Sequence, residues 1–164
     1  MAIDTSVIGK PTGAHRVVVE RGPVSNFARA LKDENSVYHD PNAAKASGFA
    51  DIPAPPTWSF AMPFWGRFAE EQPEDPTGGE NPMRDVMGEL FAKGGLVLHG
   101  EQEFEYHRPI VVGDVVVGEG RIVDIYEKES KGRTMTFVVT ETVWRDERSG
   151  EPAVTERFNL IHRS

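Results

Sequence analysis

The spacing of apolar residues changes character near Leu96. Before it they cluster or recur at helical intervals; after it they alternate with polar residues. His15 to Glu20 is short and β-branched, which predicts a first strand. Gly22-Pro23 stops it, and Val24, Phe27, Ala28 and Leu31 then repeat at helical spacing up to about Lys32. Asp40-Pro41 offers a cap and an early-turn proline for a short helix over 42–46, with Gly48 as its stop. Ile52-Pro-Ala-Pro-Pro56 is extended. Thr57 to Phe68 is apolar on nearly all sides, which predicts a helix with little exposed surface, kinked or started by Pro63. Glu70 to Pro82 reads as a polar surface loop, and Met83 to Phe91 as a further helical turn.

Four runs of period two follow: Val97 to His107, Val115 to Glu127, Thr134 to Arg145 and Val154 to His162. Arg108-Pro109 with Gly113-Asp114, Lys131-Gly132 and Ser149-Gly150 punctuate them. One strand, then helices, then four strands is an α+β order. It predicts a curved antiparallel meander wrapped around the central apolar helix, the hot-dog arrangement. Residues 15–164 are expected to form one domain with a loop insertion around 70–82, preceded by a flexible polar arm over 1–14.

The chain has 164 residues, enough for one proper core, and a net charge of −8, which excludes a polyanion-coating surface and so nucleic acid as a partner. There is no cysteine, and so no disulfide, thiolate chemistry or cysteine-based zinc site. No run approaches the roughly 18 apolar residues of a membrane span, and the first fifteen residues lack the pattern of a secretion signal. The expectation is a cytoplasmic protein with no membrane contact.

The stretch Phe27 to Ala44 resembles the signature of MaoC-like, (R)-specific enoyl-CoA hydratases: Asp33, Asn35, Asp40 and Ala44 stand in its register. Gly100 to Asp114, ending Arg108-Pro-Ile-Val-Val-Gly-Asp114, and the closing Arg157 to Arg163 resemble the MaoC N-terminal, FAS1-like dehydratase branch. The resemblance implies the hot-dog fold, an acyl-CoA or acyl carrier protein thioester as substrate, no cofactor, no metal, and a second hot-dog subunit or a homodimer. Two positions depart from it. Tyr38 stands where the family has its catalytic His, and Ala54-Pro55-Pro56-Thr57 replaces a small-residue turn with Gly at the start of the central helix. Both departures resemble the non-catalytic subunits of heteromeric hydratases of fatty-acid and steroid side-chain metabolism.

Hydrating an enoyl thioester requires a base for water, a proton for the α-carbon, and donors for the thioester oxygen. Asp33 is the candidate carboxylate, with turn capping as its structural alternative. Tyr38 is a poor base with an ordinary pKa near 10, so a packing role competes. His39 follows Glu34 at the same offset as Tyr38 follows Asp33, which leaves a shifted pair open. Asn35, Pro55, Thr57 and Trp58 are candidate substrate contacts, Asn35 with a local turn role beside it. Phe60, Met62, Phe64, Trp65 and Phe68 are read with Trp58 as core and channel wall, and His99, His107 and His162 as structural. The leading function is a hydratase or (R)-3-hydroxyacyl dehydratase subunit that shapes the acyl channel beside a catalytic partner. A self-sufficient hydratase using Asp33 with Tyr38 or His39, a hot-dog thioesterase, and a non-enzymatic acyl-thioester-binding homo-oligomer remain alternatives. The thioesterase is disfavoured because the central segment carries no acid before Glu70.

Overall fold

The computed structural model describes residues 4–130 and 132–163. Strand β1 spans Pro11–Val18, starting within the expected arm, and Val7 before it is buried against the second of two core clusters. The Gly9 N–H donates to the Ile122 carbonyl at 2.8 Å, which ties this end of the chain to the sheet. Helix α1 is Arg21–Ala30, with Pro23 in its first turn and Val24 and Ala28, four apart, as its buried stripe. Helix α2, Pro41–Ala46, is capped by Asp40, whose side chain accepts from the Asn42 N–H.

The central helix α3 is much shorter than the apolar run suggests. It covers only Trp58–Ala61, and the chain tightens into a 3₁₀ turn over Met62–Phe64. Pro63 has no N–H to return to the carbonyl four residues back, so the α-helical ladder stops. The burial expected for its aromatics fails with it. Trp58 and Met62 are buried, but Phe60, Phe64, Trp65 and Phe68 are 36–79% exposed. Helix α4, Pro82–Ala92, is three turns long, capped by Asn81, and buries Val86 and Leu90.

Strands β2 Leu96–Tyr106, β3 Val115–Ser130, β4 Arg133–Asp146 and β5 Pro152–Arg163 complete one antiparallel sheet in the order β1-β3-β4-β5-β2. Only β3, β4 and β5 form a meander. β2 pairs with β5, Phe104 opposite Glu156, and so lies at an edge instead of beside β3 as a simple meander would have it. Val116, Ile122 and Ile125 of β3, Val138 and Trp144 of β4, and Val154, Glu156 and Leu160 of β5 are buried. A bulge between Ile122 and Asp124 lets two residues three apart, Ile122 and Ile125, both turn inward. One core cluster lies under α3, with Val24, Ala44, Ile52 and Trp144; the second lies under α4.

Glu141 is held between two guanidinium groups, Arg121 Nη2 at 2.6 Å and Arg157 Nη2 at 2.8 Å. Desolvation pushes its carboxyl up, but the hydrogen bonds from the two arginines outweigh this and hold it below the usual carboxylate range.

Gly118 pairs across the sheet with Trp144, and a Cβ there would sit 2.5 Å from the indole ring. Gly118→Ala should therefore destabilise the protein by about 1–3 kcal/mol through overpacking. A thermal melt followed by circular dichroism checks this; an unchanged midpoint would mean the indole can shift freely.

Candidate functional site: an apolar cavity at the start of the central helix

A cavity of about 350 Å³ opens between the Pro-rich turn before α3 and the turn after β2. Its walls include Phe49, Pro53, Ala54, Pro55, Pro56, Trp58, Ile110 and Val154. Four hydroxyl-bearing residues, Tyr38, Thr57, Ser59 and Tyr106, also line it. Such a composition suits a largely apolar ligand oriented by a few polar groups.

The expected site residues divide into two sets. Tyr38, Pro55, Thr57 and Trp58 do line this cavity. Asp33, Asn35 and His39 instead brace the loop that carries Tyr38. Asp33 Oδ1 accepts from the Asn35 N–H at 3.0 Å, Asn35 Oδ1 accepts from the Val37 N–H at 3.1 Å, and His39 Nε2 lies 2.9 Å from the Asp33 carbonyl oxygen. These are turn-forming contacts, each satisfying a backbone group locally. Burial, and then the negative charge of Asp33, push the Tyr38 phenol up, which holds it protonated. A phenol so placed can donate a hydrogen bond and is a weak base.

The backbone donors along the Pro-rich turn can be counted. The Ala54 N–H donates to the Ile110 carbonyl at 2.8 Å, the Thr57 N–H to the Tyr106 hydroxyl at 3.2 Å, and the Trp58 N–H to the Pro55 carbonyl at 3.1 Å. Pro55 and Pro56 have none. From Ala54 to Trp58 every backbone donor is spent, while the buried Trp58 indole N–H has no partner. Thr57 also has φ 70°, a left-handed conformation that a β-branched residue adopts at a cost.

The Arg108 to Asp114 turn has a structural explanation. Arg108 Nη1 donates to Asp114 Oδ2 at 2.7 Å and to the Pro109 carbonyl, while Nη2 donates to Asp146 Oδ2 at 3.1 Å. The same Asp114 oxygen accepts from the Val111 N–H. Two carboxylates thus offset the arginine, which fixes the cavity rim. His107 Nε2 is 3.0 Å from the Thr155 hydroxyl, and the buried His162 bonds the Gly94 carbonyl. His99 packs edge-on against Phe158, 4.6 Å between centroids, and against Phe60.

Sequence reasoning did not single out Glu156. It is 8% exposed; its Oε2 accepts from Ser59 Oγ at 2.8 Å and its Oε1 from Trp144 Nε1 at 3.1 Å. Burial pushes its carboxyl up, and the two hydrogen bonds only partly offset that. The signal was present in the alternation: Val154, Glu156, Phe158 and Leu160 share one parity, which puts an acid on an inward face.

One antiparallel sheet with a short helix against it, and an apolar cavity at the helix start, is a hot-dog architecture. The similarity to solved structures agrees. The ChsH1-ChsH2 complex from Mycobacterium tuberculosis aligns over 94% of this chain and 87% of its own, with a TM-score of 0.71 and 23% identity. The HadBC (3R-hydroxyacyl-ACP dehydratase) complex from the same organism aligns over 96% and 98%, with a TM-score of 0.68 and 19% identity. In sequence, a UPF0336 protein of Streptomyces avermitilis is 36% identical over 167 residues, covering 100% of this chain and 97% of its own. A probable enoyl-CoA hydratase alpha subunit of Thermomonospora curvata is 33% identical over 141 residues, covering 84% of this chain and 43% of its own. Residues 6–156 match the family described as FAS1-like, dehydratase domain region, and the chain belongs to it.

Two outcomes follow from this geometry. Thr57→Gly relieves a left-handed strain of about 1–2 kcal/mol, partly offset by up to about 1 kcal/mol of added unfolded-chain entropy. A modest rise in melting temperature is expected; a fall would show that the Thr57 side chain holds the turn. Because the folded-state pKa of Glu156 is raised, its contribution to stability is full below the ordinary carboxylate range and is lost as pH rises through the folded value. Glu156→Gln should therefore gain stability relative to the parent as pH rises above the ordinary carboxylate range, and lose that gain as pH falls towards about 4. Melts at a series of pH values read this directly, and a constant gap would contradict it.

Proposed function

We propose that this chain is the acyl-binding subunit of an enoyl-thioester hydratase or (R)-3-hydroxyacyl-thioester dehydratase, and that a MaoC-like hot-dog partner supplies the catalytic carboxylate and histidine. The observation that carries the reading is the state of the cavity. It suits an acyl thioester in polarity, but Tyr38 stands where the resemblance puts the family's histidine, and the backbone donors from Ala54 to Trp58 are engaged. Such a cavity binds and orients; it is poorly equipped to polarise a thioester carbonyl or to deprotonate water.

A partner also accounts for the surface. Edge strand β2 leaves Leu96, Leu98 and Tyr106 exposed, and the segment after α3 exposes Phe64 at 79% with Trp65 and Phe68. A long edge strand and several large exposed apolar side chains favour cover by another subunit. The names of similar proteins support a heteromeric setting: an alpha subunit in one case, two-component complexes in others. Asp33, Asn35 and His39 act in this reading by positioning Tyr38. Pro55, Thr57 and Trp58 form the wall beside the thioester, and the pathway lies in fatty-acid or steroid side-chain metabolism.

Loss of enoyl-thioester absorbance tests the proposal, with short-chain, long-chain and steroid-type CoA substrates. The chain is assayed alone and then co-purified with a MaoC-like partner. Turnover by the complex should exceed that of the isolated chain by about 100-fold or more, the scale of a missing general acid–base pair. Enzyme-like turnover by the chain alone would overturn the reading.

A further inference from the structure

Among the hydroxyls lining the cavity, the Ser59 hydroxyl alone is on a buried residue, 3% exposed; Tyr38 is half-buried, and Thr57 and Tyr106 are exposed. Its proton is committed. Ser59 Oγ donates to Glu156 Oε2 at 2.8 Å, so the hydroxyl offers its oxygen lone pairs, and no donor, to anything in the cavity. The orientation of Glu156 is fixed in turn by Trp144, whose indole N–H can only donate and therefore requires an acceptor at Oε1. A buried carboxylate is an expensive way to fill the space between a helix and a sheet, since desolvation penalises its charge and an apolar side chain would pack there at lower cost.

We propose that Ser59, oriented by Glu156 and Trp144, is a hydroxyl-recognising subsite that makes this cavity select 3-hydroxyacyl thioesters over their saturated and 3-oxo counterparts. The inference rests on the acyl-thioester reading of the cavity and adds to it a specificity-determining residue. A 3-hydroxyl donates to the Ser59 oxygen. A 3-oxo group can only accept, and meets lone pair against lone pair. A methylene makes no hydrogen bond there. Ser59 lies two residues beyond Thr57, within one turn of the start of α3, which suits a group near the thioester end of the acyl chain. In this arrangement Ser59 and Glu156 exchange no proton with substrate; Ser59 binds, and Glu156 is a positioning residue.

The arrangement predicts an inversion of preference. In Glu156→Gln the Trp144 N–H keeps the amide oxygen at the Oε1 position. That places the amide NH₂ where Oε2 stood, donating to Ser59 Oγ. The serine proton is then released towards the cavity, and a 3-oxo group becomes a suitable acceptor for it. A merely structural role for Glu156 would change affinity for all ligands together and would not move this ratio.

The test is calorimetric titration of the full chain, alone and with its co-purified partner, with decanoyl-CoA, 3-hydroxydecanoyl-CoA and 3-oxodecanoyl-CoA. The parent should bind the 3-hydroxy ligand about tenfold more tightly than either other ligand, the scale of one well-placed hydrogen bond. Ser59→Ala should bring the ratios close to one, and Glu156→Gln should favour the 3-oxo ligand over the 3-hydroxy ligand. Equal binding of all three ligands to the parent would overturn the subsite while leaving the acyl-thioester reading intact. So would an unchanged preference in a folded Glu156→Gln. Failure of all three to bind, even with the partner present, would overturn both.

Discussion

Glu156 joins the sheet to the central helix. Its carboxyl group is accepted into the core only because an indole N–H from β4 and a hydroxyl from α3 reach its two oxygens. That places two requirements on the surroundings. Trp144 must lie flat over β3, which it does because Gly118 opposite it has no side chain. Helix α3 must present Ser59 to the sheet, which fixes the rotation of that helix and puts Trp58 into the cluster of Phe27 and Trp65. Three residues distant in sequence thus set where α3 sits, and the cavity is what remains beside it.

The second constraint is the backbone accounting of the turn before α3. Prolines at 55 and 56 remove two donors, a left-handed Thr57 begins the helix, and the Tyr106 hydroxyl takes the Thr57 N–H. The turn is held by the far side of the cavity, because Ala54 and Pro53 pair with the segment around Ile110 and Val111. That segment is pinned by Arg108 between Asp114 and Asp146. The result is a rigid rim with few free donors.

The exposed aromatics follow from the same short helix. A full-length helix over Thr57 to Phe68 would have turned most of them inward. Ending it at Ala61, ahead of Pro63, turns Phe64 outward, leaves Trp65 half exposed beside Trp58, and so leaves a patch that covering would stabilise. The fold therefore gives up burial within the chain and leaves an exposed apolar surface.

By itself the sequence determined the element order, the α+β class, the four later strands to within a few residues, helix α1 and the Asp40-capped helix α2. Periodicity and caps are local, and they act whatever the rest of the chain does. The resemblance blocks named the superfamily, and the oddities at Tyr38 and at Pro55-Pro56 were visible as residues. Tertiary structure decided the rest. The place of β2 beside β5 is a long-range pairing with no local signature. Asp33, Asn35 and His39 turned from the cavity to their own backbone because short polar side chains find the nearest donors and acceptors first. The aromatic run gained a solvent face once a single proline broke the hydrogen-bond ladder. The pairing of Ser59 with Glu156 needed 97 residues of chain to fold back on itself, and only the packed structure brings those two side chains together.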